Sequence, residues 1–188
     1  ASSSKEEFSE KLLFTAVQKG MPQVAEVLMD SLQNPDYALE AAFQFKNIEV
    51  LNLALVKGAK LVNTDLIRVV KDGFSKAVPV LLEKNLNPRI TDNEDNGLLH
   101  FVVYKYDDGD TETLDVLIKN GVHINAKNKI GETPLHWAVK AGITNKSIII
   151  KLLNSGALPE AQTVKRQSVA DYTDDKKLRK LLKAPLAN

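Results

Sequence analysis

Hydrophobic residues recur along this chain at helical spacing, in short stripes that end at a glycine or a polar residue. Leu114, Leu117 and Ile118 form one such stripe, which ends at Gly121. Positions three and four apart lie on one face of an α-helix, and a glycine just past the last apolar residue is a common helix stop. Residues 149–157 repeat the arrangement, and no segment alternates apolar and polar positions over the length of a strand. The pattern therefore predicts an all-α protein.

The stripes belong to a longer internal repeat. Residues 99–103 (LHFVV) match residues 135–139 (LHWAV), with one repeat of 36 residues between His100 and His136. Each match precedes one of the apolar stripes, so each repeat predicts two helices. Weaker copies of the second stripe occur earlier in the chain, and they end at Leu28, Ala54 and Leu82. These early copies are 26 and 28 residues apart, which leaves room for two short helices but hardly for a long turn between repeats.

One segment identifies the type of repeat. Residues 131–138 (GETPLHWA) match the T-P-L-H-x-A pattern of the ankyrin repeat family, including the glycine before it. Residues 120–128 (NGVHINAKN) resemble the turn between two ankyrin repeats. The resemblance covers roughly residues 8–183, is strongest in the last third and is degenerate in the first half, where Thr-Pro-Leu-His is absent. It implies an all-α ankyrin-repeat solenoid of about five helix pairs with a C-terminal capping helix pair.

This resemblance also predicts the boundaries of the repeats. We expect residues 1–188 to form a single ankyrin-repeat domain, with repeats at roughly 8–33, 37–60, 64–91, 95–128 and 131–163 and a C-terminal cap at 167–184. The expected outer side of the first helix pair carries Glu6, Glu7, Glu10 and Lys11. The cap begins with a worn copy of the motif at 168–172 and continues as a charged helix at 176–183. Polar ends of this kind keep the terminal repeats of a solenoid soluble.

The Thr-Pro-Leu-His motif has a physical rationale. Thr133 is placed to cap a helix whose first position is Pro134, because proline needs no hydrogen-bond donor there and already has a helical φ angle. Leu135 and Ala138 fall on one face of that helix, and alanine is small enough for close helix packing. The resemblance implies that His136 ties neighbouring turns together through its ring nitrogens.

Composition limits the class of partner. The 188 residues include 25 Lys and Arg against 24 Asp and Glu, a net charge of +1, so no global field attracts nucleic acid or an anionic membrane. The basic helix at 176–183 carries Leu178, Leu181 and Leu182 at inward spacing, which favours a solvated cap over contact with RNA. No run reaches the roughly 18 apolar residues that a membrane helix needs. We therefore expect neither nucleic-acid binding nor membrane insertion.

The compartment of the protein stays open. The chain has no cysteine, which excludes disulfides and thiolate chemistry but no location. Its first residue is Ala1, which fits a removed signal peptide, a removed pro-segment, an expression remnant or a fragment. The localisation is therefore unknown: cytoplasmic, or periplasmic or secreted if Ala1 follows a cleaved signal peptide.

Candidate catalytic and metal sites all have a simpler structural interpretation. His100 and His136 occupy the repeat's structural histidine position, His123 lies in a turn, and no carboxylate stands near them at metal-site spacing. Residues 107–110 (DDGD) faintly resemble a calcium loop, but the twelfth position, counted from the second aspartate, is Lys119 where glutamate is needed. Glycine-rich phosphate loops and G-x-S-x-G turns are absent. We expect no enzyme activity, no cofactor and no metal.

The resemblance implies a concave protein-binding surface, built from the inter-repeat turns and the exposed side of each first helix. Positions one, four and five after the repeat histidine should be exposed, and several of them are aromatic, the residue type that often dominates interfaces. The expected partner-binding residues are Phe45, Asp72, Phe101, Tyr104, Lys105, Lys129, Ile130, Glu132, Trp137 and Lys140. The charged turn tips Asp92, Glu94, Lys129 and Glu132 are expected to act as rim charges.

Alternatives remain for both the surface and the function. Trp137 and Phe45 could serve packing alone, in which case the partner would dock on the convex side or on residues 106–110. The expected function is that of a non-catalytic adaptor, inhibitor or immunity-like protein, monomeric alone, which presents a preformed surface to a protein partner. The alternative is a targeting or regulatory ankyrin fragment of a larger enzyme or secreted effector.

Overall fold

The computed structural model describes residues 2–105, 111–142 and 146–183, without the side chains of residues 2–5 and 105. Within those ranges it contains eleven α-helices and one single-turn 3-10 helix. Extended pairing there is limited to two isolated bridges, between Thr91 and Gly97 and between Gln162 and Ser168. The all-α class and the helix pairs of an ankyrin-repeat solenoid are confirmed.

The described residues form two compact units that divide between Val62 and Asn63. The expectation of one continuous domain stays a prediction. The first unit contains four helices: α1 Ser2–Gln18, α2 Pro22–Asp30, α3 Asp36–Phe45 and α4 Ile48–Val56. Each helix packs on its pair partner, α1 also packs on α3, and α2 packs on α4. This two-by-two stacking buries Leu13, Ala38 and Leu51 completely.

The outer side of α1 is less polar than expected. Glu7 and Lys11 are exposed and form an ion pair at 2.7 Å, but Glu6 and Glu10 are half-buried, and Glu10 hydrogen-bonds Tyr37. Phe8 is instead 62% exposed. The expected row of charges is therefore wrong in part, because α3 packs against the side of α1 that carries Glu10.

The second unit continues the helix pairs. Its elements are α5 Asn63–Asp72, α6 Ala77–Glu83, α7 Leu98–Lys105, α8 Glu112–Lys119, α9 Pro134–Lys140, α10 Lys146–Asn154, the 3-10 helix Val169–Tyr172 and α11 Lys176–Lys183. The first helices form one layer, in which α7 packs between α5 and α9, and the 3-10 helix packs on α9. Each then packs on the second helix of its own pair. This layer of first helices positions the candidate site.

The turns before α7 and α9 share one hydrogen-bond pattern. Asp92 Oδ1 accepts the backbone N–H groups of Glu94 (2.9 Å) and Asn96 (3.0 Å). One repeat later, Asn128 Oδ1 accepts those of Ile130 (3.2 Å) and Glu132 (2.9 Å). An aspartate or asparagine in this position folds a turn locally, since its side chain replaces a backbone acceptor.

Successive turn tips are also bonded to one another. The backbone N–H of Lys129 donates to the Glu94 carbonyl at 3.1 Å, and that of Val164 donates to the Ile130 carbonyl at 3.0 Å. These bonds leave the side chain of Ile130 52% exposed and that of Val164 68% exposed. The tips therefore form a rigid, partly apolar edge beside the layer of first helices.

Candidate functional site

The two repeat histidines are structural. The backbone N–H groups of Gly97 and Thr133 donate to Nδ1 of His100 and His136 respectively, both at 3.1 Å. Nδ1 is therefore the acceptor nitrogen, and Nε2 carries the proton. In His100, Nε2 donates to the Glu132 carbonyl at 3.1 Å and so ties one repeat to the next, the role that the resemblance implied for His136.

His136 completes only half of this arrangement. Its Nε2 is buried and makes no hydrogen bond of ordinary geometry to a described residue, and burial lowers the pKa of this imidazole while the Gln167 backbone raises it. Burial is the larger influence and lowers the pKa of both His100 and His136. The corresponding turn of the cap has Arg166 and Gln167 where the turn before Thr133 has Gly131 and Glu132.

Trp137 lies at the centre of an aromatic cluster. The half-buried indole makes edge-to-face contacts with three rings, His100 at 5.4 Å, Phe101 at 6.0 Å and Tyr104 at 5.8 Å between centroids. Such pairs stabilise beyond the area they bury. Lys71 Nζ lies 4.2 Å from the centre of the Phe101 ring, within the range of a cation–π contact. The cluster spans α5, α7 and α9, with Tyr104 as its exposed member at 62%.

Three of the positions one after the repeat histidine are buried, contrary to expectation, whereas Trp137 is half-buried and Thr15 is exposed. Phe101 is only 8% exposed, and the corresponding Val69 and Ala41 are 1% and 0% exposed. In the second unit the cause is the close stacking of first helices, which turns this position toward the adjacent helix. Positions four after the histidine do reach solvent, as Tyr104 and Lys140 show.

The remaining first-helix predictions have separate outcomes. Asp72 is exposed at the end of α5. Phe45 belongs to the first unit, where it is half-buried and packs edge-to-face on Phe14 at 6.2 Å, so it serves packing at least in part. The side chain of Lys105 and residues 106–110, which include the calcium-like segment, lie outside the described residues.

Two of the turn charges are not free rim charges. Asp92 is partly buried and also accepts from Lys71 Nζ at 3.3 Å. Burial raises the pKa of Asp92, but hydrogen bonds from Asn96, the Glu94 backbone and Lys71 outweigh it and lower that pKa overall. Glu94 and Lys129 are exposed and pair loosely at 3.9 Å, as rim charges do. Glu132 is the second exception.

Glu132 is 3% exposed, so the expectation of an exposed turn-tip charge is wrong. Its Oε2 accepts the indole N–H of Trp137 at 2.6 Å, and the Tyr172 hydroxyl donates to the same carboxylate. Lys140 Nζ lies 3.8 Å from Oε1. Burial, followed by the hydrogen bond to Glu132 and its charge, raises the pKa of Tyr172 to about 12. The Glu132 carboxylate thus fixes the orientation of the Trp137 ring through this hydrogen bond.

Sequence reasoning missed this role although a signal was present. Aligning the repeat histidines places Glu132 opposite Asn96, which is 7% exposed and donates to Asp92 at 3.1 Å. A polar residue just before the helix cap therefore points inward in both repeats.

A cavity of about 330 Å³ opens beside Glu132, and we call it the Glu132 pocket. Its lining includes Ile130, Glu132, Lys140, Val164, Lys165 and Tyr172. It adjoins the aromatic cluster, because Glu132 contacts Trp137 directly. Apolar walls with a few convergent polar groups are typical of binding sites.

The described residues contain no candidate metal site and no candidate membrane-spanning helix. In that part of the chain no three His, Asp or Glu side chains stand close enough together to hold a metal ion. None of the helices in those residues is long and apolar enough to cross a membrane.

Comparison with known proteins agrees with the fold. A sequence model of ankyrin repeats matches residues 104–153. Human Rabankyrin-5 is 49% identical over 47 residues, which cover 25% of this chain and 4% of that protein. Human ankyrin repeat domain-containing protein 40 is 33% identical over 75 residues, which cover 39% of this chain and 20% of that protein.

A third relative has a different name but the same kind of match. A probable serine/threonine-protein kinase of Dictyostelium discoideum is 37% identical over 57 residues, or 30% of this chain and 7% of the kinase. The chain thus spans no more than a fifth of these relatives. With the stacked helix pairs and the Thr-Pro-Leu-His turn, these matches support an ankyrin-repeat assignment for this chain, and ankyrin repeats generally act as protein–protein interaction modules.

Proposed function

We propose that this chain is a non-catalytic adaptor or inhibitor that binds a protein partner on the aromatic face of its second unit. This face consists of Tyr104, Trp137, Lys140 and the turn tips Lys129 and Ile130, with Asp72 at its edge. The observation that carries the proposal is Tyr104, which is 62% exposed and stacked edge-to-face on Trp137. An exposed aromatic ring on a rigid support is the usual anchor of a protein interface.

The mechanism is pre-organisation of the contact residues. The Trp137 ring is held by the 2.6 Å bond to Glu132 and by its neighbouring rings, so its conformation is set before a partner arrives. A side chain ordered in advance loses little conformational entropy on binding. Ile130, which is 52% exposed, extends the apolar surface from the helix layer to the turn tips.

The charges around this face suit a supporting role. Lys129 is 53% exposed and Lys140 is 59% exposed at the side chain, and both carry only loose ion pairs, at 3.9 and 3.8 Å. Exposed charges at a rim chiefly change the association rate and its salt dependence. We therefore assign affinity to the aromatic pair and steering to these lysines.

A second function is favoured by the match to the kinase. In that protein the matching segment makes up 7% of a much longer chain. A segment of this kind could recruit a target to a larger enzyme, through the same aromatic face. The mass of the intact protein from its source organism distinguishes the two functions, since a mass well above that of 188 residues would favour the second.

The proposal predicts that Tyr104→Ala weakens binding of the captured partner about tenfold or more, because truncating an interface anchor costs about 1–2 kcal/mol or more. The partner is first captured from a source-organism lysate on the immobilised full chain, and its affinity is then measured for each variant. The melting temperature should change little, since the Tyr104 side chain is mostly exposed.

Phe8→Ala is the matched control. Phe8 is also an aromatic residue at 62% exposure, but it lies on α1 of the first unit. The Phe8→Ala variant should bind the partner with unchanged affinity. Trp137→Ala should weaken binding further and also lower the melting temperature, because its ring is half-buried. Wild-type affinity in Tyr104→Ala would show that the partner docks elsewhere.

A further inference from the structure

We propose that the Glu132 pocket receives a basic side chain, arginine or lysine, from the protein partner. The inference rests on the proposed function only in that the partner supplies this side chain. The charge preference of the pocket can be tested without the partner.

The Glu132 side chain is nearly inaccessible to water. Its two close contacts, from the Trp137 indole N–H and the Tyr172 hydroxyl, come from neutral donors. Lys140 is the cation that pairs with it among the described residues, and its Nζ stays at 3.8 Å, beyond hydrogen-bond distance. Buried charges are normally both paired and hydrogen-bonded by their counter-charge. The Glu132 carboxylate therefore has no direct hydrogen bond from a cation among the described residues.

Three other charged side chains face the pocket. Lys140, Lys165 and Asp171 line it together with Glu132, so the formal charges balance. The two ammonium groups are on long exposed stems and can move away. Asp171 is held by the backbone N–H and hydroxyl of Ser168, at 2.7 and 2.8 Å. The carboxylates of Glu132 and Asp171 are thus held in place, while the ammonium groups of Lys140 and Lys165 are not. Electrostatic interactions are strongest in the most buried part of the pocket, where Glu132 lies.

The size and lining of the pocket also favour a basic side chain. Its volume of about 330 Å³ is near the lower limit for ligand sites, which suits a single long side chain. Ile130 and Val164 form an apolar entrance, joined by the backbone bond between their turns. The methylene groups of lysine or arginine pack on apolar surface while the charged end reaches a polar partner. The occupant's stem would lie between these two residues, with its cation at Glu132.

Lys140 would then act as a replaceable intramolecular cation. A partner cation with direct hydrogen bonds to Glu132 would form a stronger pair than the present one at 3.8 Å. Because Glu132 also bonds Trp137, the occupied pocket and the aromatic face would form one continuous site.

The test uses the indole N–H of Trp137 as its reporter, since the chain has a single tryptophan. The full chain, labelled with nitrogen-15, is titrated with acetyl-Gly-Arg-Gly-amide and with versions that carry lysine, citrulline or glutamate in place of arginine. The arginine and lysine peptides should shift the indole resonance saturably. Citrulline, which has the shape of arginine without its charge, and glutamate should not.

Three variants complete the test. Glu132→Gln should weaken the arginine peptide about tenfold or more, as loss of one partner of a buried charge pair does. Lys140→Met should strengthen it several-fold, because the competing cation is gone. Glu83→Gln, an exposed carboxylate at the end of α6, is the control and should have no effect.

Several results would overturn the inference. They are equal binding of citrulline and arginine, binding of the glutamate peptide in their place, no saturable shift with any peptide, and an unchanged affinity in folded Glu132→Gln. If Glu132→Gln does not fold, Lys140→Met decides, since an unchanged or weaker affinity contradicts the pocket. The Tyr104→Ala variant separates the two proposals. It should bind the arginine peptide as the wild type does, which tests the pocket. Its affinity for the partner tests the proposed function, which fails if that affinity is unchanged.

Discussion

Gly131→Ala is expected to lower the free energy of unfolding by about 3 kcal/mol, of which about 1–2 come from the left-handed backbone and the rest from overpacking. Gly131 has a φ of +80°, and a Cβ there would lie 2.8 Å from the backbone nitrogen of Val164 and 3.0 Å from Cα of Thr163. These are backbone atoms of the next turn, which is already bonded to Ile130 at 3.0 Å. The turn cannot move aside without losing that bond. Urea denaturation of the full chain measures the change.

Gly156→Ala is the matched control for the steric part. Its φ is +91°, but nothing lies within 4 Å of a Cβ at that position. It should therefore lose only the conformational part, about 1–2 kcal/mol. Equal losses in the two variants would mean that the turns at Gly131 and Val164 are not in contact.

His100→Ala is expected to lower the free energy of unfolding by about 3 kcal/mol, since each buried group left without its hydrogen bond costs about 1–3 kcal/mol. The change leaves the buried Gly97 N–H without its acceptor and removes one of two donors to the Glu132 carbonyl, which keeps the bond from the Asn128 N–H at 3.0 Å. It also removes the ring that contacts Trp137 at 5.4 Å. Urea denaturation again gives the value.

His136→Ala should cost less, about 1–2 kcal/mol, because it removes the partner of the Thr133 N–H and hydroxyl but no bond of ordinary geometry from Nε2 to another described residue. A second readout uses pH. Burial holds the pKa of His100 below 6.5 in the folded state, so stability is present above pH 6.5 and is lost as the pH falls below it. His100→Ala should reduce that loss. A larger cost for His136→Ala would contradict the assigned contacts.

The helix pairs could be predicted from the sequence because their signals are local. The apolar stripe of α8 and the Thr133-Pro134 start of α9 each lie within one helix and its cap. The family resemblance was strongest in this part of the chain, and the matched region at 104–153 lies there. The turn before α7 was harder to recognise. Asp95, with a φ of 59°, stands where the next repeat has Gly131.

The candidate site was less predictable because it depends on neighbouring repeats. Phe101 is buried by α9, and nothing in the pattern of α7 alone distinguishes it from Tyr104. The burial of Glu132 requires Tyr172, which comes from the worn cap 40 positions later. Helical periodicity predicts which residues of a helix pack against the other helix of the same pair. It does not describe contacts between one first helix and the next.

Glu132 contributes both to the stability of the repeat stack and to the proposed binding face. It bonds the Trp137 ring, raises the pKa of Tyr172 and forms the floor of the pocket. Its backbone carbonyl also receives the bond from His100 that joins two repeats. The same residue thus connects the repeat stack to the face that we assign to the partner.

The central claim is that the partner binds at Trp137. The most direct measurement is fluorine NMR of the chain labelled with 5-fluorotryptophan, in which Trp137 gives a single resonance because the chain has one tryptophan. Addition of the captured partner should shift or broaden this resonance in a saturable way, and Phe8→Ala should respond as the wild type does. An unchanged resonance, while gel filtration shows the complex to be formed, would place the partner away from this face and contradict the account.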